Sequence, residues 1–179
     1  MQSIVLKDKS FVPYITAETI SEQVKAVAQK INSDLANETP LFLVVLNGSF
    51  MFAADLLKEV TIPCEISFIK LASYHGTTSS GVVTEMIGLT EDVKGRTVVI
   101  VEDIVDTGVT LEKLVNLLTK KEVKQIKVAS FLLKPDAYKK DITVDYVGIK
   151  IPNDFVVGYG LDYDGLGRNM KEIFVLNTK

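Results

Sequence analysis

The stretch VVIVEDIVDTGVTL, residues 98–111, runs from four apolar residues into two adjacent acids, Glu102 and Asp103, then a third, Asp106, and a Thr107-Gly108 turn. TVVIV (97–101) is the most strongly strand-like segment of the chain. TLEKLVNLLTKK (110–121) follows it with Leu111, Leu114, Val115 and Leu118 on one helical face. A buried strand therefore leads through an acidic turn into an amphipathic helix. Three carboxylates so close together repel one another, and none has an obvious basic partner nearby in sequence. A ligand or a cation is expected to justify them.

The same alternation extends outward. Residues 18–36 carry Ile20, Val24, Val27, Ala28 and Ile31 at helical spacing. LFLVVL (41–46) is a short continuous apolar run that reads as a buried strand. Asn47-Gly48-Ser49 breaks it, and FMFAADLLKEV (50–60) reads as a second helix. EISFIKLASY (65–74), QIKVASFLL (125–133), TVDYVGI (143–149) and FVVGYGL (155–161) supply further strands. Alternating helices and strands predict an α/β fold with a mainly parallel sheet covered by helices on both faces. There is no internal repeat or linker, so one domain over residues 1–179 suffices. SYHGTTSSG (73–81) is small, polar and glycine-bearing, and is expected to be a mobile surface loop. A plain hairpin loop and a functional lid are both open readings of it.

Composition narrows the partners. Hydrophobic residues make up 47% and charged residues 24%, as in soluble globular proteins. A net charge of −3 argues against a general nucleic-acid binder. The one cysteine, Cys64, excludes an intramolecular disulfide and fits a reducing, cytoplasmic setting. No signal peptide is evident, and no segment reaches the ~20 apolar residues that span a bilayer.

Ligands of parallel α/β sheets sit beyond the carboxyl ends of the strands, where 97–101 delivers Glu102 and Asp103. Backbone N–H groups of Asp106-Thr107-Gly108-Val109-Thr110 at a helix N-terminus make an anion site, and Gly108 lets the backbone come close to an anion. Thr107 and Thr110 add hydroxyl donors. Each charge-assisted hydrogen bond contributes roughly 1.5–3 kcal/mol, so several could hold a phosphate without a lysine. Neither GxxxxGK[ST] nor a strand-following GxGxxG is present. Vicinal carboxylates suit a ribose diol or a Mg2+ ion held near it. Acids that bind hydroxyls, followed by a turn that binds phosphate, describe a ribose 5-phosphate site. A helix start enriched in acids would explain Asp106 but not Glu102 and Asp103.

VVIVEDIVDTGVTL resembles the phosphoribosyl-diphosphate-binding motif of type I phosphoribosyltransferases, and most closely that of the purine-salvage, hypoxanthine(-guanine) branch. The likeness extends to VVLNGSFMFAADLL (44–57), ASYHGTTSSG (72–81), FLLKPD (131–136) and IPNDFVVGYGLDYD (151–164). Five motifs in the right order are far more specific than one. The resemblance implies the type I fold, a small hood built from the termini, and transfer of a 5-phosphoribosyl group to a purine nitrogen.

Residue by residue, the resemblance assigns Glu102 and Asp103 to the ribose hydroxyls. It gives the 5-phosphate to Asp106, Thr107, Gly108, Val109 and Thr110. Leu46, Asn47 and Gly48 match the loop that receives pyrophosphate, often through a cis peptide. Many relatives carry lysine where this chain has Asn47, so a direct positive contact to pyrophosphate is lost. Ser73 and Tyr74 match the start of a loop that closes over the reacting centre. Lys134 matches the reader of the 6-oxo group, Phe155 the aromatic that stacks on the base, and Val156 a backbone partner of the base edge. Asp162 matches a metal-coordinating acid, Arg168 a pyrophosphate contact, and Asp106 the proton acceptor for the purine N7. Mg2+ is implied as cofactor, with Glu102, Asp103 and Asp162 as its ligands. Phosphoribosyl diphosphate and a 6-oxopurine are the implied substrates, with no nucleic-acid or membrane partner, and the assembly is implied to be a homodimer or homotetramer. The rivals are a transferase for xanthine or another base, and a regulatory protein that kept the fold to sense the donor. The second would be expected to show a basic surface or a helix-turn-helix segment.

Overall fold

The computed structural model describes residues 2–71 and 85–178, without the side chains of residues 85–87. The chain begins with two strands, β1 (Ile4–Leu6) and β2 (Lys9–Ile15), followed by helix α1 (Ala17–Asp34). Next come β3 (Leu41–Val45), α2 (Phe50–Glu59), β4 (Glu65–Leu71) and β5 (Glu85–Ile87). Then β6 (Thr97–Val105) leads into α3 (Val109–Lys120), β7 (Gln125–Leu133), β8 (Tyr146–Lys150), β9 (Val156–Val157) and β10 (Ile173–Leu176).

The main sheet has the order β5-β4-β3-β6-β7-β8, parallel throughout except for β5. All five residues of β3 are buried because both faces are covered. Phe42 and Val44 join the apolar cluster formed with α1 and α2, whereas Leu41, Leu43 and Val45 join the cluster on the α3 side. That two-sided burial explains why the strand reads as a continuous apolar run rather than an alternating one. Thr16 caps α1 by accepting from the Thr19 N–H at 3.2 Å, and Ile20, Val24, Val27, Ala28 and Ile31 form its buried face.

A second, four-stranded antiparallel sheet, ordered β1-β2-β10-β9, brings the two ends of the chain together. It packs on Phe11, Val157 and Phe174 and forms the hood implied by the resemblance. No helix among the described residues is long and apolar enough to cross a membrane.

Three boundaries differ from the sequence reading. The central strand does not end at Val101 but continues to Val105, because pairing with β7 persists to Val105–Leu133. Glu102 and Asp103 thus lie inside a hydrogen-bonded strand rather than beyond it. FVVGYGL is extended only at Val156–Val157, since Gly158, Tyr159 and Gly160 all take positive φ and turn the chain. TVDYVGI becomes strand only from Tyr146. Residues 73–81, with Ser73 and Tyr74, lie outside the described residues.

Candidate functional site

Two adjoining cavities open at the carboxyl end of the main sheet. The larger, about 340 Å³, is bounded by Leu46 and Gly48, by Glu102, Asp103 and Ile104, by Thr110 and Lys113, and by Asp162 and Arg168. The smaller, about 100 Å³, follows the turn from Asp106 through Leu111 and shares Glu102, Ile104 and Thr110 with its neighbour. One stretch of chain, β6 and the start of α3, therefore supplies the wall common to both.

The small cavity is a backbone cradle. Gly108 takes φ 80° and precedes α3 with no side chain capping the helix. Its carbonyl accepts from the Glu112 N–H, while the N–H groups of the first turn remain free of intrahelical acceptors. With Thr107 and Thr110 this suits a phosphate dianion, which also gains from the helix dipole. A Cβ on Gly108 would lie 2.4 Å from the Tyr138 ring, so the left-handed turn and that ring both require glycine here.

The acids divide the work differently from one another. Glu102 is buried, and among the described residues no hydrogen bond reaches its carboxyl group. Burial, with Asp103 beside it, pushes its pKa well above the ordinary value. Asp103 is raised from 3.8 to about 6, chiefly by burial; the Ile104 N–H at 2.8 Å and the Arg168 charge oppose this only in part. Two partly desolvated acids with so few donors are complementary to hydroxyl groups or a hard cation. Asp106 differs. Its carboxylate meets the Lys134 ammonium at 2.9 Å, so the basic partner missing nearby in sequence comes from the end of β7. The Lys134 side chain is only 9% exposed and lines neither cavity, so its ammonium is largely withdrawn from solvent.

The Leu46–Asn47 peptide is cis, as the resemblance implied. Gly48 follows it and lies against Asp103 so closely that a Cβ would sit 1.5 Å from Asp103 Oδ2. On the other side Gly160, at φ 98°, would place a Cβ 1.9 Å from the Gly48 carbonyl oxygen. The loop is thus wedged between β6 and the 158–160 turn, and two glycines permit it. Arg168 ties this turn down. Its guanidinium donates to the Gly160 carbonyl at 2.7 Å and pairs with Asp162 at 2.6 Å. Asp162 also accepts from the Gly165 N–H at 2.6 Å.

Phe155 and Val156 line neither cavity but stand in the hood. Phe155 is 43% exposed and meets Tyr163 edge-on at 6.0 Å and Phe11 at 6.2 Å. An exposed aromatic braced by two others presents a flat face for stacking. Val156 is buried and lies opposite Val175 on the outermost strand of its sheet. The neighbouring pair is hydrogen-bonded, with Leu176 N–H donating to the Phe155 carbonyl at 2.9 Å. Antiparallel pairs alternate, so Val156 directs its own backbone donor and acceptor away from β10. They are available to the edge of a heterocycle.

Asn47 is exposed and lines neither cavity; its carbonyl accepts from the Phe50 N–H. Glu102, Asp103 and Asp162 bound one cavity, yet among the described residues no group of three or more His, Cys, Asp or Glu could hold a metal alone. This donor set fits a divalent ion that takes its other ligands from a diphosphate and water, as Mg2+ commonly does. Sequence reasoning passed over Lys113 and Gly160. Lys113 was detectable as the residue three positions after Thr110, hence on the same helix face. Gly160 carried no comparable signal, because its neighbour Gly48 is distant in the chain.

The sequence profile described as the phosphoribosyl transferase domain matches residues 15–164. The hypoxanthine-guanine phosphoribosyltransferase of Streptococcus pneumoniae is 40% identical over 166 residues, covering 92% of each chain. That of Bacillus subtilis is 41% identical over 163 residues, 90% of this chain and 91% of its own. Among solved structures, a hypoxanthine phosphoribosyltransferase from Staphylococcus aureus superposes with a TM-score of 0.86 at 37% identity, covering 92% of this chain and 90% of its own. A mutant of the Trypanosoma cruzi hypoxanthine phosphoribosyltransferase, in a ternary substrates complex, gives 0.87 at 35% identity, covering 97% and 98%.

Proposed function

This chain belongs to the phosphoribosyltransferase family, and from that premise we infer that it transfers the 5-phosphoribosyl group of phosphoribosyl diphosphate to hypoxanthine, and to guanine, releasing pyrophosphate. The observation that carries the reading is the pair of adjoining cavities, one a backbone phosphate cradle and one lined by acids, with Glu102 in the wall they share. The relatives' names favour an enzyme over a donor-sensing regulator.

The donor's 5-phosphate occupies the 106–110 turn, and the ribose hydroxyls donate to Glu102 and Asp103. Its diphosphate lies in the larger cavity against the Gly48 backbone and Arg168. Phe155 stacks on the purine, the Val156 backbone meets its edge, and Lys134 donates to the 6-oxo group. An ammonium has three donors, so Lys134 can hold Asp106 and the oxo oxygen together. A donor in this place favours an acceptor oxygen over the amino group of adenine.

As the C1–O bond breaks, positive charge grows on the sugar and negative charge on the departing diphosphate. Mg2+, held by Asp162, Glu102 or Asp103, supplies charge neutralisation for the diphosphate when bound. Asp106 accepts the N7 proton. The Lys134 contact at 2.9 Å holds the Asp106 carboxylate in position for that transfer. Ser73 and Tyr74 begin the segment that excludes water from the activated sugar. We read the whole chain, 1–179, as one cytoplasmic domain that assembles as a homodimer or homotetramer, with no nucleic-acid or membrane partner.

The test is direct. The protein is incubated with Mg2+ and phosphoribosyl diphosphate, and hypoxanthine, guanine, xanthine, adenine and uracil are offered separately. IMP and GMP are the expected products; no nucleotide with any 6-oxopurine overturns the reading.

A further inference from the structure

We propose that Lys113 is the cation that receives the diphosphate of the donor, an assignment that rests on the phosphoribosyl-transfer reading above. Three acids, Glu102, Asp103 and Asp162, line the larger cavity against two basic side chains, Arg168 and Lys113. Arg168 is shared with the fold, since it pairs with Asp162 at 2.6 Å and donates to the Gly160 carbonyl at 2.7 Å, so only its remaining donors can meet the diphosphate. Lys134 is committed to Asp106 and lines neither cavity. The pyrophosphate loop contributes a neutral side chain at Asn47. Even with Mg2+ bound at the acids, one shared guanidinium is little positive charge for the most highly charged part of the donor, and a further cation on this wall adds attraction.

Lys113 fills that need. It is exposed, and among the described residues it has no ion pair. The next lysine facing this part of α3, Lys140, is held by Glu112 at 2.7 Å. Lys113 follows Thr110 by three residues, so both stand on one face of α3. Helical side chains lean toward the N-terminus, which aims the Lys113 ammonium back along Thr110 toward the cavity. Thr110 belongs to both cavities and Lys113 only to the larger. The helix thus grips the 5-phosphate by its first-turn backbone and the diphosphate by a side chain one turn later.

The test uses Lys113→Gln and Lys113→Arg in the full chain with Mg2+. Calorimetric titration of inorganic pyrophosphate reads the contact without turnover, and steady-state kinetics read it during transfer. Lys113→Gln is expected to weaken pyrophosphate binding, and to raise KM for phosphoribosyl diphosphate, by about tenfold. KM for hypoxanthine and kcat should stay within about twofold, and Lys113→Arg should recover most of the loss. Raising NaCl from about 50 to about 300 mM should weaken wild-type pyrophosphate binding more than that of Lys113→Gln, because an exposed contact is screened. A merely structural lysine would not change that salt dependence. Pyrophosphate affinity of Lys113→Gln within about twofold of wild type overturns the assignment. A wild-type chain that binds pyrophosphate yet makes no nucleotide counts against the transfer reading and leaves the Lys113 contact standing.

Discussion

Asp103→Asn should stabilise the ligand-free protein while disabling it, and the size of the gain can be worked from the site. Burial raises the Asp103 carboxyl from 3.8 to about 6, with Ile104 N–H and Arg168 opposing it. A raised acid holds its proton longer in the folded state than in the unfolded chain. Its contribution is therefore fully present below pH ~4 and is lost as pH rises through about 6. Each pH unit between the two values is worth about 1.4 kcal/mol, which sets an upper bound of about 3 kcal/mol near neutrality. The amide of asparagine can keep the Ile104 hydrogen bond through its oxygen but has to place its own N–H groups beside Gly48. A net gain of about 1–3 kcal/mol at pH 8 is expected, or a rise in Tm of about 3–9 °C for a chain of this size. Thermal or urea unfolding of both proteins from pH 4 to pH 8 tests this. The difference between them should be near zero at pH 4 and open between pH 4 and 6, while kcat/KM of the variant falls by about two orders of magnitude or more. A variant less stable than wild type at pH 8, or a difference equal at both pH values, would refute the burial argument.

Other substitutions separate the remaining roles. Asp106→Asn should lower kcat by about a hundredfold with KM for phosphoribosyl diphosphate changed by no more than about threefold; equal losses would make Asp106 a binding residue. Lys134→Gln removes the partner of Asp106 and, on the proposed reading, the donor for the oxo group. The ratio of kcat/KM for hypoxanthine to that for adenine should fall about tenfold or more, measured with both bases. Gly160→Ala forces a Cβ against the Gly48 carbonyl at φ 98°, so a loss on the order of 2–4 kcal/mol is expected in urea unfolding, together with weakened pyrophosphate binding.

Periodicity alone determined much of this protein. The apolar run at 41–46 and the 3.6-residue spacing in 18–36 and 110–121 are local consequences of which faces must be buried, and the elements form where those patterns lie. The order of acids, turn and helix at 98–111 likewise carried the small backbone-lined cavity, because every group in it comes from one short segment. What the tertiary structure decided are the relations between distant residues. Only pairing with β7 carries the central strand past Glu102 to Val105. Lys134 answers the charge of Asp106 from 28 residues away, because adjacent parallel strands end side by side. Gly48 and Gly160 need to be glycine for each other's sake and for Asp103, and their contact is set by how the hood turn meets the loop. Burial of Glu102 and Asp103, which raises the pKa of two ordinary acids, is also a property of the folded walls and not of the residues. Chemical identity and local spacing belong to the chain itself; charge state, partnership and close contact arise only where folding brings remote segments together and excludes water from between them.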